Sequence, residues 1–365
     1  VTRRRRCIVV HPSDEMYGAD RVLLEVLRTA PADLDVEVWL PTDVDYPDRQ
    51  LSRALQDAGI PVRLLALPIM RRAYLRPGRL PGLAWRALTA SLRLLVARPD
   101  LVYLNTAAAS LAAPAARASG ARVVLHLHEH IDERSRAVLP FLRFAHRIVA
   151  VSSAVADVLP DALRSRTRVV NNGFDSAPPA PLPTFANGIR VVVASRWNAW
   201  KGHTVLLAAW GAARRDDLRL EVLGDRPPSG EAVDVPALVA TSPRRASITV
   251  TGPTSDVRVH LDAAHVVVVP SVLPDPLPTI AIEALGAGRA LLASDSGGLR
   301  EIAGDSPLLV APGDVDAWTA ALEGLDEESV RAAAGSARAR FDKLFSRDTF
   351  DRRIRAELWD LVPRS

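Results

Sequence analysis

Short runs of β-branched and aliphatic residues alternate with longer stretches whose apolar positions recur every three or four residues, and the alternation runs through the chain twice. CIVVHP, VEVWLP, VRLLAL, LVYLN, VVLHLH and RIVAVS have the near-continuous apolar character of strands buried on both faces of a parallel sheet. Between them, GADRVLLEVLRTA and AAASLAAPAARAS carry helical patterns. NNGFDSAPPAPLPTFANG then interrupts, with the Pro, Asn and Gly density of a linker. Beyond it the alternation restarts with RVVVAS, LRLEVLG, SITVTG, HVVVVPS, ALLAS and PLLVAP.

Strand and helix alternation on both sides of a linker predicts an α/β chain of two doubly wound parallel-sheet domains, residues 1–175 and 176–345. FSRDTFDRRIRAELWDLV repeats Phe350, Ile354, Leu358 and Leu361 at helical spacing and predicts an amphipathic helix within the remaining residues, 346–365. The final LVPRS resembles a protease-cleavage remnant and carries no weight in this reading. Ligands of such sheets bind beyond the carboxyl ends of the strands, so the loops there are where chemistry is expected.

Composition agrees and narrows the class. The 365 residues exceed one ordinary core and fit about two domains. With 48% hydrophobic and 24% charged residues the chain is globular and not disordered. Cys7 is the single cysteine, which excludes an internal disulfide and a cysteine metal cluster and fits a reducing compartment. The basic start VTRRRRC precedes an apolar run too short for a signal peptide, and no run approaches a membrane span; the expected location is cytoplasmic.

Charge is uneven. Up to residue 175 there are 25 Arg against 18 acids; beyond it, 21 Lys and Arg face 24 acids. Between Met70 and Pro99 stand Arg71, Arg72, Arg76, Arg79, Arg86, Arg93 and Arg98 with no acid, interleaved with Tyr74, Trp85 and leucines. The segment Arg71–Arg98 reads equally as a solvated helix face or as a contact for an anionic membrane at the inner face of the cell envelope or for an acidic acceptor. Nucleic acid is disfavoured as a partner, since aromatics are few and no nucleic-acid module is recognisable.

The second half carries the sharper motifs. SRWNAWKGH follows a strand and supplies Arg196 and Lys201, a forked donor and a point charge suited to a diphosphate. Only two of the 46 cations are Lys, which makes a Lys at a strand-to-helix turn less ordinary. In HVVVVPSVLPDPLPTIAIEAL a strand ends, the chain bends, and a helix begins near Pro278 or Thr279, leaving the backbone at Leu277, Pro278, Thr279 and Ile280 to meet a phosphate. Glu283 lies about one turn into that helix among Ile282, Ala284 and Leu285, where a carboxylate is costly unless it accepts hydrogen bonds such as those of a ribose. Asp275, in the bend, is expected to be free to face the sugar attached to the phosphate. Taken one at a time, these residues also read as surface charges and a dipole-favouring acid.

Together these segments resemble the retaining glycosyltransferases of family 4. SRWNAWKGH is similar to that family's Arg and Lys-Gly loop, and DPLPTIAIEALGAGRALLASDSGGLREI to its E-x7-E region and following Gly-Gly turn, with Asp275 where the family has Glu. The resemblance implies the GT-B fold, two facing Rossmann-like domains with an interdomain cleft: an N-terminal acceptor-binding domain, a C-terminal domain binding a nucleoside-diphosphate sugar, and a terminal helix crossing back. It implies transfer of a hexosyl unit with retention, no cofactor and no bound metal, to a glycan, polyprenyl-phosphate-linked or small-molecule acceptor. Gly18 in SDEMYGADRVLLEVL matches a Gly-containing loop that lets backbone approach the donor phosphate or acceptor, and the family often has a second glycine where this chain has Tyr17. His128 in VVLHLHEHIDE matches a His beside the reacting sugar, and the backbone near Gly252 in TGPTSD is where the base is met. His126, His128 and His130 lack an independent carboxylate ligand pattern for a metal. A catalytically impaired nucleotide-sugar-binding partner and a nucleotide-sugar 2-epimerase share the architecture and stay open; a dehydrogenase is disfavoured, because no G-x-G-x-x-G follows the first strand of either half.

Overall fold

The computed structural model describes residues 4–16, 18–71, 74, 76–133, 135–227 and 231–362. Tyr17, Arg72 and the last three residues of LVPRS, all named above, lie outside them. The chain divides into two compact units, residues 1–172 with 350–365, and residues 173–349.

The first unit holds seven parallel strands: β1 (Arg5–Val10), β2 (Leu34–Pro41), β3 (Val62–Leu65), β4 (Leu101–Asn105), β5 (Arg122–Leu127), β6 (Arg147–Ala150) and β7 (Thr167–Val169). Their order in the sheet is β3-β2-β1-β4-β5-β6-β7, with β1 beside both β2 and β4. The central strands are apolar throughout because helices cover both faces; every residue of β4 is buried. The edge strand β7 has three residues, one of them Arg168, and shows no apolar run for a sequence pattern to find.

The terminal helix Arg347–Leu358 joins this unit from Phe350 onward. Phe350, Ile354 and Leu358 are buried as the helical spacing requires. Leu361 is not, because the α-helix ends at Leu358 and a 3₁₀ turn rephases the chain so that Trp359 and Val362 turn inward. Trp359 Nε1 donates to Thr29 Oγ1 at 2.7 Å, and Arg28 pairs with Asp351 at 3.4 Å.

The second unit holds six parallel strands: β8 (Ile189–Ala194), β9 (Leu218–Leu223), β10 (Ile248–Gly252), β11 (Val266–Val269), β12 (Ala290–Ser294) and β13 (Leu309–Val310), ordered β10-β9-β8-β11-β12-β13. Both sheets are therefore Rossmann-like, with strand order reversing beside the first strand: between β1 and β4 in one, between β8 and β11 in the other. Val191, Val193, Leu220, Val222, Val266, Val268 and Leu292 build one face of the second core with Trp210 and Trp318.

Candidate functional site

At the β8–β11 reversal, glycines press two loops onto neighbouring backbone. After β8 the chain passes Ser195 and Arg196, makes a 3₁₀ turn at Ala199–Lys201 and reaches Gly202. Gly202 has φ +80°, and a Cβ there would stand 1.9 Å from the Pro270 carbonyl oxygen just past β11. Only glycine permits that approach, and it holds Lys201 over the end of β11. From the other side, Gly298 N donates to the Asp275 carbonyl at 2.8 Å. A Cβ at Gly297 would meet that same oxygen at 2.4 Å, and one at Gly298 the Pro276 carbonyl at 2.1 Å. The Gly-Gly turn thus clamps the bend that carries Asp275.

The two clamped loops bring Lys201 Nζ to 2.5 Å from Asp275 Oδ2. The expectation of a free Asp275 is corrected: its side chain is 6% exposed, that of Lys201 18%, and the pair is a shielded ion pair joining the two loops. Lys201 also lies 4.2 Å from the centre of the Trp200 ring. A buried carboxylate is costly alone, and the lysine in contact offsets its charge. Burial, with the Lys201 charge next, pushes the neighbouring His203 down to about 4, so this imidazole is neutral at physiological pH.

The helix Thr279–Gly286 starts directly after this bend, with Pro278 at its N-cap and no side chain capping it. Leu277 and Pro278 are buried, Thr279 is partly exposed, and Ile280 packs against the core cluster that holds Val192, Val267 and Ala284. Arg196 is half-buried in the loop leading to Lys201. Glu283 is half-exposed rather than enclosed among its apolar neighbours. It lines a cavity of about 360 Å³ together with Phe174, Asp175, Ser176, Arg258 and Phe341. Gly252 closes β10 with φ +87° at a register irregularity, and its carbonyl accepts from Gly224 N at 2.8 Å.

The β1–β4 reversal is built differently, mainly from side chains. Asn105, at the end of β4, donates from Nδ2 to the Ala19 carbonyl at 3.3 Å, which fixes the orientation of its amide. Nδ2 then also faces His11 Nδ1 at 2.9 Å, while Oδ1 accepts from His128 Nε2 at 2.7 Å and from the Tyr103 hydroxyl at 3.0 Å. His11 Nε2 is left to donate to Asp20 Oδ1 at 2.6 Å, and the Ser13 hydroxyl meets the same oxygen at 2.5 Å. Each tautomer follows from the one before: His11 and His128 both carry their proton on Nε2, and Nδ1 of His128 keeps its lone pair. Burial first, then the charges of His126 and His11, hold His128 well below the ordinary imidazole range.

His126 lies behind His128, ring centres 4.1 Å apart, its Nδ1 2.7 Å from the Tyr103 hydroxyl. It is fully buried and pushed down to about 3 by that burial. Glu129 is engaged elsewhere, accepting from Ala107 N at 2.8 Å and His128 N at 3.0 Å. Among the described residues no group of three or more His, Cys, Asp or Glu is arranged to hold a metal ion. Gly18 opens the helix Gly18–Arg28 with unfilled space where a Cβ would be, so local packing places no demand for glycine there. His11, Asp20, Tyr103 and Asn105 escaped the sequence reading because nothing in their spacing joins them. The one local signal was a polar residue at the end of β4 and just past β1 and β5.

Two family models match the chain: Glycosyltransferase Family 4 over residues 17–177 and Glycosyl transferases group 1 over residues 188–327. The first spans β2 to β7 and the second β8 to β13. The chain belongs to the family 4 glycosyltransferases of GT-B fold. Among solved structures, this glycosyltransferase is similar to Anabaena Alr3699/HepE in complex with UDP-glucose, with TM-score 0.75, 21% identity, and 96% of this chain and 98% of that one covered. A glycosyltransferase from Rickettsia africae aligns with TM-score 0.76 at 18% identity over 99% and 100% of the two chains. The lipopolysaccharide outer core galactosyltransferase WaaB aligns with TM-score 0.75 at 15% identity over 97% and 100%. Comparison with curated proteins gives no match. At these identities the solved structures establish the shared GT-B fold of the glycosyltransferase.

Proposed function

We propose that this glycosyltransferase moves a hexosyl unit, with retention of configuration, from a nucleoside-diphosphate sugar to a glycan, lipid-linked or small-molecule acceptor. The observation that carries the reading is the Lys201–Asp275 pair set against the uncapped start of the Thr279–Gly286 helix at the β8–β11 reversal. A diphosphate placed there meets Arg196, Lys201 and the amides at the helix start, which stabilise the charge that grows on it as the sugar departs. Asp275, held by Lys201, turns its second oxygen to the sugar, and a carboxylate near the oxocarbenium-like centre favours the transition state. Glu283, facing its cavity, accepts from the ribose hydroxyls, and the backbone at Gly252 meets the base. The HepE complexes with UDP and UDP-glucose support UDP-sugars as the first donors to try.

In the first unit, His128 has the chemistry for a sugar hydroxyl: its ring is neutral and its Nδ1 can accept. Departing phosphate takes the acceptor proton, so the chemistry needs no metal and no covalent nucleophile from the protein. Incubation with a panel of UDP-, GDP- and ADP-sugars tests this: slow release of nucleoside diphosphate with a sugar of retained anomeric configuration is expected. Binding without turnover would mean an inactive nucleotide-sugar-binding protein, and a new nucleotide sugar would mean an epimerase.

A further inference from the structure

The helix Leu80–Ala97 is apolar on two opposite sides. Leu83, Ala90 and Leu94 face inward and are buried. At about 100° per residue the other side carries Trp85, Leu88, Leu92 and Val96. These are 65%, 51%, 54% and 84% exposed, with Leu95 extending the strip. A surface helix of a globular protein ordinarily turns polar residues to water; this one turns tryptophan and aliphatic side chains to it over much of its length.

Cations surround the strip. Arg76, Arg79 and Arg93 are exposed, and residues 70–99 contain no acid. The basic segment is not uniform, however. Arg71 bonds Asp43 at 2.8 Å and the Pro12 carbonyl at 2.7 Å, and Arg86 lies 3.5 Å from the same carboxylate and 4.8 Å from the centre of the Tyr74 ring. Those two arginines hold the segment against the protein, which narrows the surface expected from Arg71 to Arg98 to the helix and the residues just before it.

We infer that the Leu80–Ala97 helix lies in the plane of an anionic lipid surface, with Trp85, Leu88, Leu92 and Val96 entering the acyl boundary and Arg76, Arg79 and Arg93 meeting lipid phosphates. Charge selects this occupant over a second copy of the chain. A symmetric contact between two such faces would bring two acid-free arginine sets together, whereas lipid phosphates neutralise them. Tryptophan beside long aliphatic side chains is the composition of an interfacial helix. No helix of the described residues is long and apolar enough to cross a membrane, so the contact is one of lying on the surface. The inference does not depend on the donor site.

Co-sedimentation of the full chain with vesicles tests it, comparing pure phosphatidylcholine with phosphatidylcholine containing one third phosphatidylglycerol. Binding to the anionic vesicles should be at least about tenfold stronger and should weaken in high salt. Trp85→Ser with Leu88→Ser and Leu92→Ser should abolish it without lowering the melting temperature, since these side chains are exposed. Arg76→Glu with Arg79→Glu and Arg93→Glu, which leaves the apolar strip intact, should abolish it as well. Equal binding to both kinds of vesicle, or binding that survives either set, would overturn the inference. So would a concentration-dependent dimer, formed without vesicles, that the serine substitutions dissolve; that result would give the face to a second copy.

Discussion

At the β8–β11 reversal the central polar groups are a charged pair, shielded from solvent and carried by loops that glycines clamp backbone against backbone. At the β1–β4 reversal they are largely neutral and buried, and side-chain hydrogen bonds from Asp20 through His11 and Asn105 to His128 hold them. Topology is the same in the two sheets and sets only where a ligand goes. What is held there follows from the local chemistry: a clamped ion pair beside an uncapped helix start suits an anion, and a relay of fixed tautomers suits neutral hydroxyls.

Breaking the charged site should have the largest effect. Lys201→Ala removes a donor to the developing diphosphate charge and leaves Asp275 shielded and unpaired; kcat should fall by about 10²–10³, roughly 3–4 kcal/mol. Gly202→Ala disturbs the same site through the backbone. Its φ of +80° and the Pro270 oxygen 1.9 Å from the new Cβ should lower stability by about 2 kcal/mol or more and reduce turnover, as thermal melting and steady-state rates would show.

The neutral site should respond through pH. Asn105→Asp puts a carboxylate between His11 and His128, which favours the charged imidazole and raises the His128 titration. The acid-side inflection of the kcat/KM profile should move to higher pH, with a loss of about tenfold to a hundredfold below it. Stability should vary in the same direction. His126 stays neutral in the folded protein down to about pH 3, while in the unfolded chain it takes a proton near 6.5. The unfolded state therefore binds more protons as pH falls below about 6.5, and stability, complete above that pH, declines toward 3. At pH 5 the loss from this residue is about 2 kcal/mol, and in His126→Phe the acid slope of the melting temperature should flatten. The smallest effect is expected from EDTA, which should leave transfer unchanged.

The difference between the sites also explains what was legible. Of the thirteen strands among the described residues, twelve stand out in the sequence: the central ones because strands covered on both faces must be continuously apolar, the edge strands β3, β10 and β13 because each still holds a short aliphatic or β-branched run; β7, the three residues Thr167–Val169 around an arginine, has none. The glycosyltransferase signature lies in the second half because its parts, Arg196, Lys201, Asp275, Glu283 and the Gly297–Gly298 turn, are tied to strand ends and helix starts that local pattern reveals. Their pairing is not local. Lys201 and Asp275 are 74 residues apart, and nothing in either segment announces the ion pair. In the first half, His11 and Asn105 are separated by 94 residues, so of that network only His126 and His128 could be found, two positions apart at the end of β5. Arg71 shows the converse: a clustered basic residue looks like surface charge until its partner, Asp43, is in place.

The most direct test of a diphosphate site at the β8–β11 reversal is a crystal structure with UDP at saturating concentration. The diphosphate should lie against Arg196, Lys201 and the backbone of Leu277–Ile280, with the ribose hydroxyls on Glu283. UDP bound elsewhere, or Lys201 still closed on Asp275 with no phosphate near it, would contradict the site.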